Sequence, residues 1–301
     1  MSSDEQSTST TTATISNWGR FRSELSPCQA WFTASWPSSR VLDIPATFCP
    51  RSLGDRIWKA LNTTFIVFCL IYNWIDTTTA SFYLAYVTNW ALVVTVFYTI
   101  LSCFNTFFPL PQPGPDNRLG WRLKATWAAF VIASHGSVVV TIYYWGIVWS
   151  PGDAVTFASV NPHGVTMVFC LVDGLVVNRI PLRVLHWIGL IVPFDMAYLI
   201  WSIIHAYADI GNPNVDIEGL AKEDEAIYTS LNWSKDPGTA AMYGAAVVLV
   251  LGPIIFMTQW YCGTNGCCCC SNNRLRLLPT DNEKDVENQA SSTGMTSATA
   301  Y

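Results

Sequence analysis

Residues 159–174 read SVNPHGVTMVFCLVDG, a stretch apolar enough to lie in a bilayer that nevertheless opens on Asn161, Pro162 and His163 and carries Asp173 ten residues later. Ionisable groups are costly in hydrocarbon, so within a span they are paired, set against water, or kept for chemistry. The reading of this stretch decides both the fold and where function is sought.

Composition fixes the solvent. Hydrophobic residues make up 51% of the 301 residues and charged ones 12%, with 14 Trp, 15 Phe and 12 Tyr, too apolar a balance for a soluble domain of this length. Runs of roughly 20 apolar residues, the length that crosses a bilayer as a helix, fall at about 58–76, 81–104, 125–149, 155–178, 184–207 and 239–262. The expected fold is an all-α integral membrane protein, a bundle of six transmembrane helices spanning residues 55–262. It is flanked by an N-terminal segment, 1–54, and a Cys-rich tail, 263–301. Residues 1–17 are polar and rich in Ser and Thr, so they read as disordered and as no cleavable signal peptide.

Orientation follows from the basic residues. Of the 16 Lys and Arg, only Lys222 and Lys235 fall in the connections after spans one, three and five. The rest, from Arg20 through Arg56 and Lys59, Arg118, Arg122 and Lys124, Arg179 and Arg183, to Arg274, Arg276 and Lys284, lie on the opposite side. Both termini are therefore expected in the cytosol, in the plasma membrane or an endomembrane such as the endoplasmic reticulum. An odd number of spans would scramble the asymmetry.

The ten cysteines do not form a disulfide framework on this topology, because Cys28, Cys49 and the tail group face the reducing cytosol. Cys262, Cys267, Cys268, Cys269 and Cys270 follow the last span beside Arg274 and Arg276, a setting suited to reversible S-palmitoylation. Contiguous cysteines wrap a tetrahedral ion poorly, so no metal is expected. Asn232-Trp233-Ser234 is an N-glycosylation triplet on the outer side; Asn62-Thr63-Thr64 also matches but lies inside span one.

Depth links two residues. Thr88 is seven residues into the second run, ~10 Å below the outer mouth, and His163 is eight residues into the fourth if that span begins near Val155, at ~12 Å. At one level they could meet, and Pro162 allows a bend there; a span that began only at Gly164 would keep them apart. A Thr hydroxyl beside a neutral imidazole is a minimal nucleophile and base for attack on an ester carbonyl. The alternative has Thr88 bonded back to the Leu84 carbonyl and His163 at the interface. Asn161 could support an oxyanion or cap a helix beside Pro162. His135 and Asp195 share a depth of ~16 Å from the inner surface and could form a midplane polar pair, a proton relay in a transporter or a structural contact. Asp173 is ~15 Å from His163 along one helix, too far to orient it, and is expected neutral or bonded to a neighbouring helix. His186 and His205 fall at the ends of span five, where solvated histidines are ordinary.

The motifs YVTNWALVVTVFY (86–98), VTIYYWGIVW (140–149), VNPHGVTMVFCLVDGLVVNRIPLRVLHW (160–187), AYLIWSIIHAYADIGNPN (197–214) and IYTSLNWSKDPG (227–238) resemble, in order and spacing, the rolling stone proteins. These are similar to the androgen-induced and androgen-dependent multipass membrane proteins. The resemblance covers roughly 55–262 and implies a six-span or near six-span helical bundle. The androgen-induced branch hydrolyses fatty acid esters of hydroxy fatty acids with an intramembrane Thr and His, which implies Thr88 and His163 here. The setting NPHG looks more like the rolling stone branch, whose association is with myoblast fusion. Lipid ester hydrolase and non-enzymatic contact or fusion protein are thus both implied, with transport a third reading.

No phosphate-binding loop, spaced metal-ligand set or nucleophile elbow is present. A net charge of −5 without a basic soluble patch points away from nucleic acid. Cofactor-free chemistry on membrane lipids, with a lipid ester as substrate, fits the residues better.

Overall fold

A computed structural model describes residues 53–76, 80–108, 120–178, 180–208, 210 and 226–265. The described residues are mostly helical, with no strand among them. Six long helices follow one another: α1, Leu53–Asp76; α2, Val87–Phe107; α3, Trp121–Val148; α4, Phe157–Val177; α5, Val184–Tyr207; and α6, Pro237–Gly263. The last five are long and apolar enough to cross a membrane, and the chain is a multi-pass helical membrane protein.

The first helix is where the structure and the sequence reading part. At 24 residues α1 has the length to cross, but Lys59, Asn62 and Asn73 lower its apolarity. Lys59 and Asn62 are turned inward and buried, while Phe68, Ile71 and Trp74 are exposed. Lys59 and Asn62 thus face the neighbouring helices, while Arg56 and Thr64 are exposed.

Neighbouring helices run in opposite directions. Thr63 donates to the Thr99 carbonyl (3.0 Å) and Asn73 to Asn89 (3.0 Å), pairing α1 with an antiparallel α2. Asn105 donates to Thr126 (2.8 Å) near one end of the α2–α3 pair, and Gly136 opposes Ala91 further along. In α4, Gly174 abuts Phe130 of α3 near one end and His163 stacks on Tyr144 at the other. Leu199 faces Gly244, and Trp187 faces Gly252, across α5 and α6. The upper end of the bundle carries the α1–α2, α3–α4 and α5–α6 connections.

Helix α3 is central, packed against α2, α4, α5 and α6. Two-thirds of its apolar window is buried, against 11% for α5. Beside large buried residues such as Trp127 and Phe130, its inward face carries a run of small ones, Ala129, Ala133, Ser134, Gly136 and Ser137. Small residues let helix backbones approach, and packing rather than water expulsion drives association in lipid. Several hydroxyls, such as Thr95 to the Ala91 carbonyl and Thr126 to that of Arg122, bond back into their own helix, which hides them from hydrocarbon. Gly174 has a strict packing reason, since a Cβ there would sit 1.8 Å from the Phe130 ring.

Helix boundaries correct one depth reading and decide another. The second run opens with a tight 3-10 segment, Ala80–Ala85, and α2 proper begins at Val87 after an extended Tyr86. Thr88 therefore occupies the first turn of α2 rather than a position seven residues down it. Helix α4 starts at Phe157, capped by Thr156, whose hydroxyl accepts from the Ser159 amide (3.2 Å). This places the α4 start close to the earlier of the two registers.

Candidate active site

Pro162 has no amide hydrogen, and α4 does not pass through it as a regular helix. Residues Asn161–Val165 form a wide π-turn, and His163 leaves the helical region at φ −106°, ψ 17°. A proline inside a helix disrupts the backbone ladder, and wide turns recur where side chains must be re-aimed. The bend folds the imidazole back so that Nδ1 lies 2.7 Å from the Ser159 carbonyl oxygen. The Trp145 indole donates to the His163 carbonyl at 2.7 Å, and the Tyr144 ring stacks on the imidazole with centroids 3.6 Å apart, 9° from parallel.

The other ring nitrogen, Nε2, lies 3.2 Å from Thr88 Oγ1. A carbonyl oxygen can only accept, so the proton of the neutral imidazole belongs on Nδ1, which leaves the Nε2 lone pair facing the threonine hydroxyl. Thr88 then donates to His163. The Leu84 carbonyl, the alternative acceptor for Thr88, instead takes the Trp90 indole at 2.7 Å. Thr88 is 9% exposed and His163 half-buried.

A third group comes from the connection before α6. The Tyr228 hydroxyl lies beside the Thr88 side chain. Its ring meets Tyr86 and Tyr143 edge-on at 6.1 and 5.6 Å. Burial raises its phenol above the usual range, so it is a proton donor at any physiological pH. The neighbouring Ser230 hydroxyl bonds Tyr143, pinning this connection to the top of α3.

Asn161 does not cap α4, a position held by Thr156. Its backbone carbonyl accepts from Thr166 (3.1 Å). Its buried side-chain nitrogen, Nδ2, has no partner among the described residues. His135 and Asp195 do meet, Nε2 to Oδ2 3.3 Å, with Trp187 edge-on to the imidazole at 5.7 Å.

At the lower end a different polar centre surrounds Asp173, which is fully buried. Its Oδ1 accepts from Lys59 Nζ (2.5 Å) and the Trp58 indole (2.8 Å). Its Oδ2 accepts from Tyr98 (2.7 Å), Asn178 (3.1 Å) and, more distantly, Ser102 (3.4 Å). Asp173 is thus bonded to two neighbouring helices, and Lys59 is not a free flanking cation. Arg183, read as a loop residue, is likewise buried, its guanidinium 5.1 Å over the Trp127 ring. His186 and His205 are buried rather than solvated, the first edge-on to Trp127 at 5.3 Å, the second to Trp201 at 6.2 Å.

Cys69, Cys103, Cys170 and Cys262 are free thiols. Cys267, Cys268, Cys269 and Cys270 lie outside the described residues, as do Arg274, Arg276 and most of the acidic connection. Asn232 sits in a turn, its Oδ1 accepting from the Ser234 hydroxyl and the Lys235 amide, each at 3.0 Å. Asn62 of the other triplet is buried in α1. Among the described residues no three His, Cys, Asp or Glu side chains are grouped to hold a metal ion.

No family model matches the chain, and neither a curated protein nor a solved structure matches it. The geometry of the site is therefore the basis for its function.

Sequence reasoning picked out Thr88 and His163 but missed what supports them. Tyr144 and Trp145 lie in the motif VTIYYWGIVW, and Tyr228 in IYTSLNWSKDPG. Nothing in their spacing links them to Thr88, because the contact depends on how the end of α3 and the α5–α6 connection fold over α2.

Proposed function

We propose that this protein is a six-span lipid ester hydrolase with both termini in the cytosol, in which Thr88 is the nucleophile and His163 the general base. The observation that carries the reading is the bond from His163 Nδ1 to the Ser159 carbonyl, with Nε2 left 3.2 Å from the Thr88 hydroxyl. That arrangement fixes the tautomer a base needs, a task that a third residue performs in other nucleophile–base systems. The resemblance to the rolling stone and androgen-induced proteins supports the same pair and suggests fatty acid esters of hydroxy fatty acids as substrates.

The chemistry balances without a cofactor. The Thr88 oxygen attacks the ester carbonyl carbon while His163 Nε2 takes the hydroxyl proton. The tetrahedral intermediate collapses, breaking the bond to the alcohol oxygen, which receives that proton from His163. Water then attacks the Thr88 acyl ester, its proton passing to Nε2, and the acid leaves as the Thr88 oxygen is reprotonated. Tyr228 is placed to donate to an oxygen that gains charge beside Thr88.

Substrate would approach from the lipid. Leu84, Ile147 and Phe157, which belong to the segments that carry the site, are exposed, so an apolar ester reaches the upper end without crossing a polar shell.

Purified protein supplied with such an ester should release free acid. Thr88→Ala and His163→Ala should each lower turnover at least ~100-fold, the range over which a positioned base or nucleophile acts. Undiminished turnover in both folded variants removes the pair from the reaction. If the wild type is inert and deletion of the acidic connection impairs cell association, the contact role is favoured instead.

A further inference from the structure

Below the α5–α6 connection lies a cavity of about 60 Å³ between α3, α5 and α6. Neither Thr88 nor His163 lines it, but Tyr228, which stands beside Thr88, does, so the cavity adjoins the proposed hydrolytic site without containing its nucleophile or base, and binding there is measured without any hydrolysis. The wall is largely aliphatic, with four tyrosines, Tyr143, Tyr198, Tyr228 and Tyr243, and a single charged group, Asp195.

Two of those tyrosines have their hydroxyls committed elsewhere. Tyr198 donates to the Ala85 carbonyl at 3.0 Å, and Tyr143 is bonded to Ser230. What they offer the cavity is therefore ring surface. Asp195 stands at the lower level of the cavity, since α3 and α5 both run upward and it precedes Tyr198 by one turn. Its side chain is 10% exposed. Oδ2 has the His135 imidazole at 3.3 Å, whereas Oδ1 has no partner among the described residues. No Lys or Arg lines the cavity.

An acceptor held among apolar walls calls for a donor. A cation supplies one through a charge-assisted bond to the carboxylate, roughly twice as strong as a neutral hydrogen bond. An anionic head would be repelled by Asp195, and a neutral hydroxyl would make only the weaker bond. A cavity of about 60 Å³ takes a short ligand. We propose that the cavity between α3, α5 and α6 is a binding site for a small primary amine in its protonated form, its ammonium held by Asp195 and its short alkyl body by the aliphatic wall.

The test compares three probes of equal chain length, ethylamine, ethanol and acetate, by the thermal shift of purified full-length protein. Ethylamine should raise the unfolding temperature with a saturable dose dependence, the behaviour of a ligand that binds only the folded state. It should bind at least ~10-fold more tightly than ethanol, and acetate should not bind. Asp195→Asn should abolish the preference for the amine. Should that variant misfold, Val139→Phe, which fills the cavity and leaves the carboxylate in place, should remove saturable binding of every probe. Equal binding of amine and alcohol by the wild type, or ethylamine binding unaltered in either folded variant, overturns the proposal.

Discussion

Asp173 and His163 are borne by one helix, ten residues apart, and their surroundings have little in common. Asp173 has no exposed surface and both of its oxygens are partnered, drawing together α1, α2 and α4 through Lys59, Tyr98, Ser102 and Asn178. His163 sits on a broken turn, half-buried, with one nitrogen fixed by a carbonyl and the other turned to a single hydroxyl. An enclosed network has no room for a substrate and serves packing. Both His163 nitrogens are partnered as well, but the imidazole is half-buried and its partners are one carbonyl and one hydroxyl, the arrangement that the proposed hydrolysis uses. In a membrane helix the presence of an ionisable residue therefore does not distinguish structure from function; what differs between these two centres is enclosure.

The comparison breaks most readily at the lower centre. Replacing Lys59 with Met strands the Asp173 carboxylate in the bundle, and loss of one member of a buried pair costs ~3–5 kcal/mol. Lys59→Met should therefore reduce the yield of folded protein sharply, with partial recovery on adding Asp173→Asn, read by thermal unfolding in detergent. A Lys59→Met protein as stable as the wild type would refute the structural role of this pair.

Next in size is the packing beside it. Gly174→Ala drives a methyl into the Phe130 ring, and overpacking of this kind costs ~1–3 kcal/mol. Phe130→Leu should relieve it in the double variant, so the two substitutions should be non-additive in unfolding measurements.

The upper centre should respond in the opposite sense, with small effects on stability and large ones on activity. Thr88→Ala removes one hydrogen bond, worth ~1 kcal/mol, and its unfolding temperature should remain near that of the wild type while ester hydrolysis is lost. Smallest of all is the N-cap of α6. The Thr239 hydroxyl and amide hold the Asp236 carboxyl below its usual range. Its contribution is present above the unfolded-state value of about 3.9 and is lost as pH falls through the lower folded value. The wild type should therefore be slightly more stable than Asp236→Ala at neutral pH, and the gap should close on acidification.

Much of the fold was legible from apolar runs, because lipid demands continuous helices and so writes their lengths into the chain. The runs at 184–207 and 239–262 nearly coincide with α5 and α6. What hydropathy could not show was the direction in which side chains point. Lys59 and Arg183 read as loop cations because they flank apolar runs, yet both are buried against partners on other helices. Buried His186 was hidden for the same reason. The encounter of Thr88 with His163 was within reach of depth arithmetic, although the register used for Thr88 was wrong. The break at Tyr86 was invisible, since extended backbone at that position has no proline or glycine to announce it. Tyr228 could not be found at all, because a contact from a distant connection has no periodicity.

The central claim is that Thr88 is a nucleophile activated by His163. The most direct measurement is covalent labelling of purified protein by a fluorophosphonate probe, with the modified residue located by mass spectrometry. A single adduct on Thr88 is expected, absent in Thr88→Ala and strongly slowed in His163→Ala with the fold intact. An adduct elsewhere, or labelling of Thr88 at an unchanged rate without the imidazole, would contradict it.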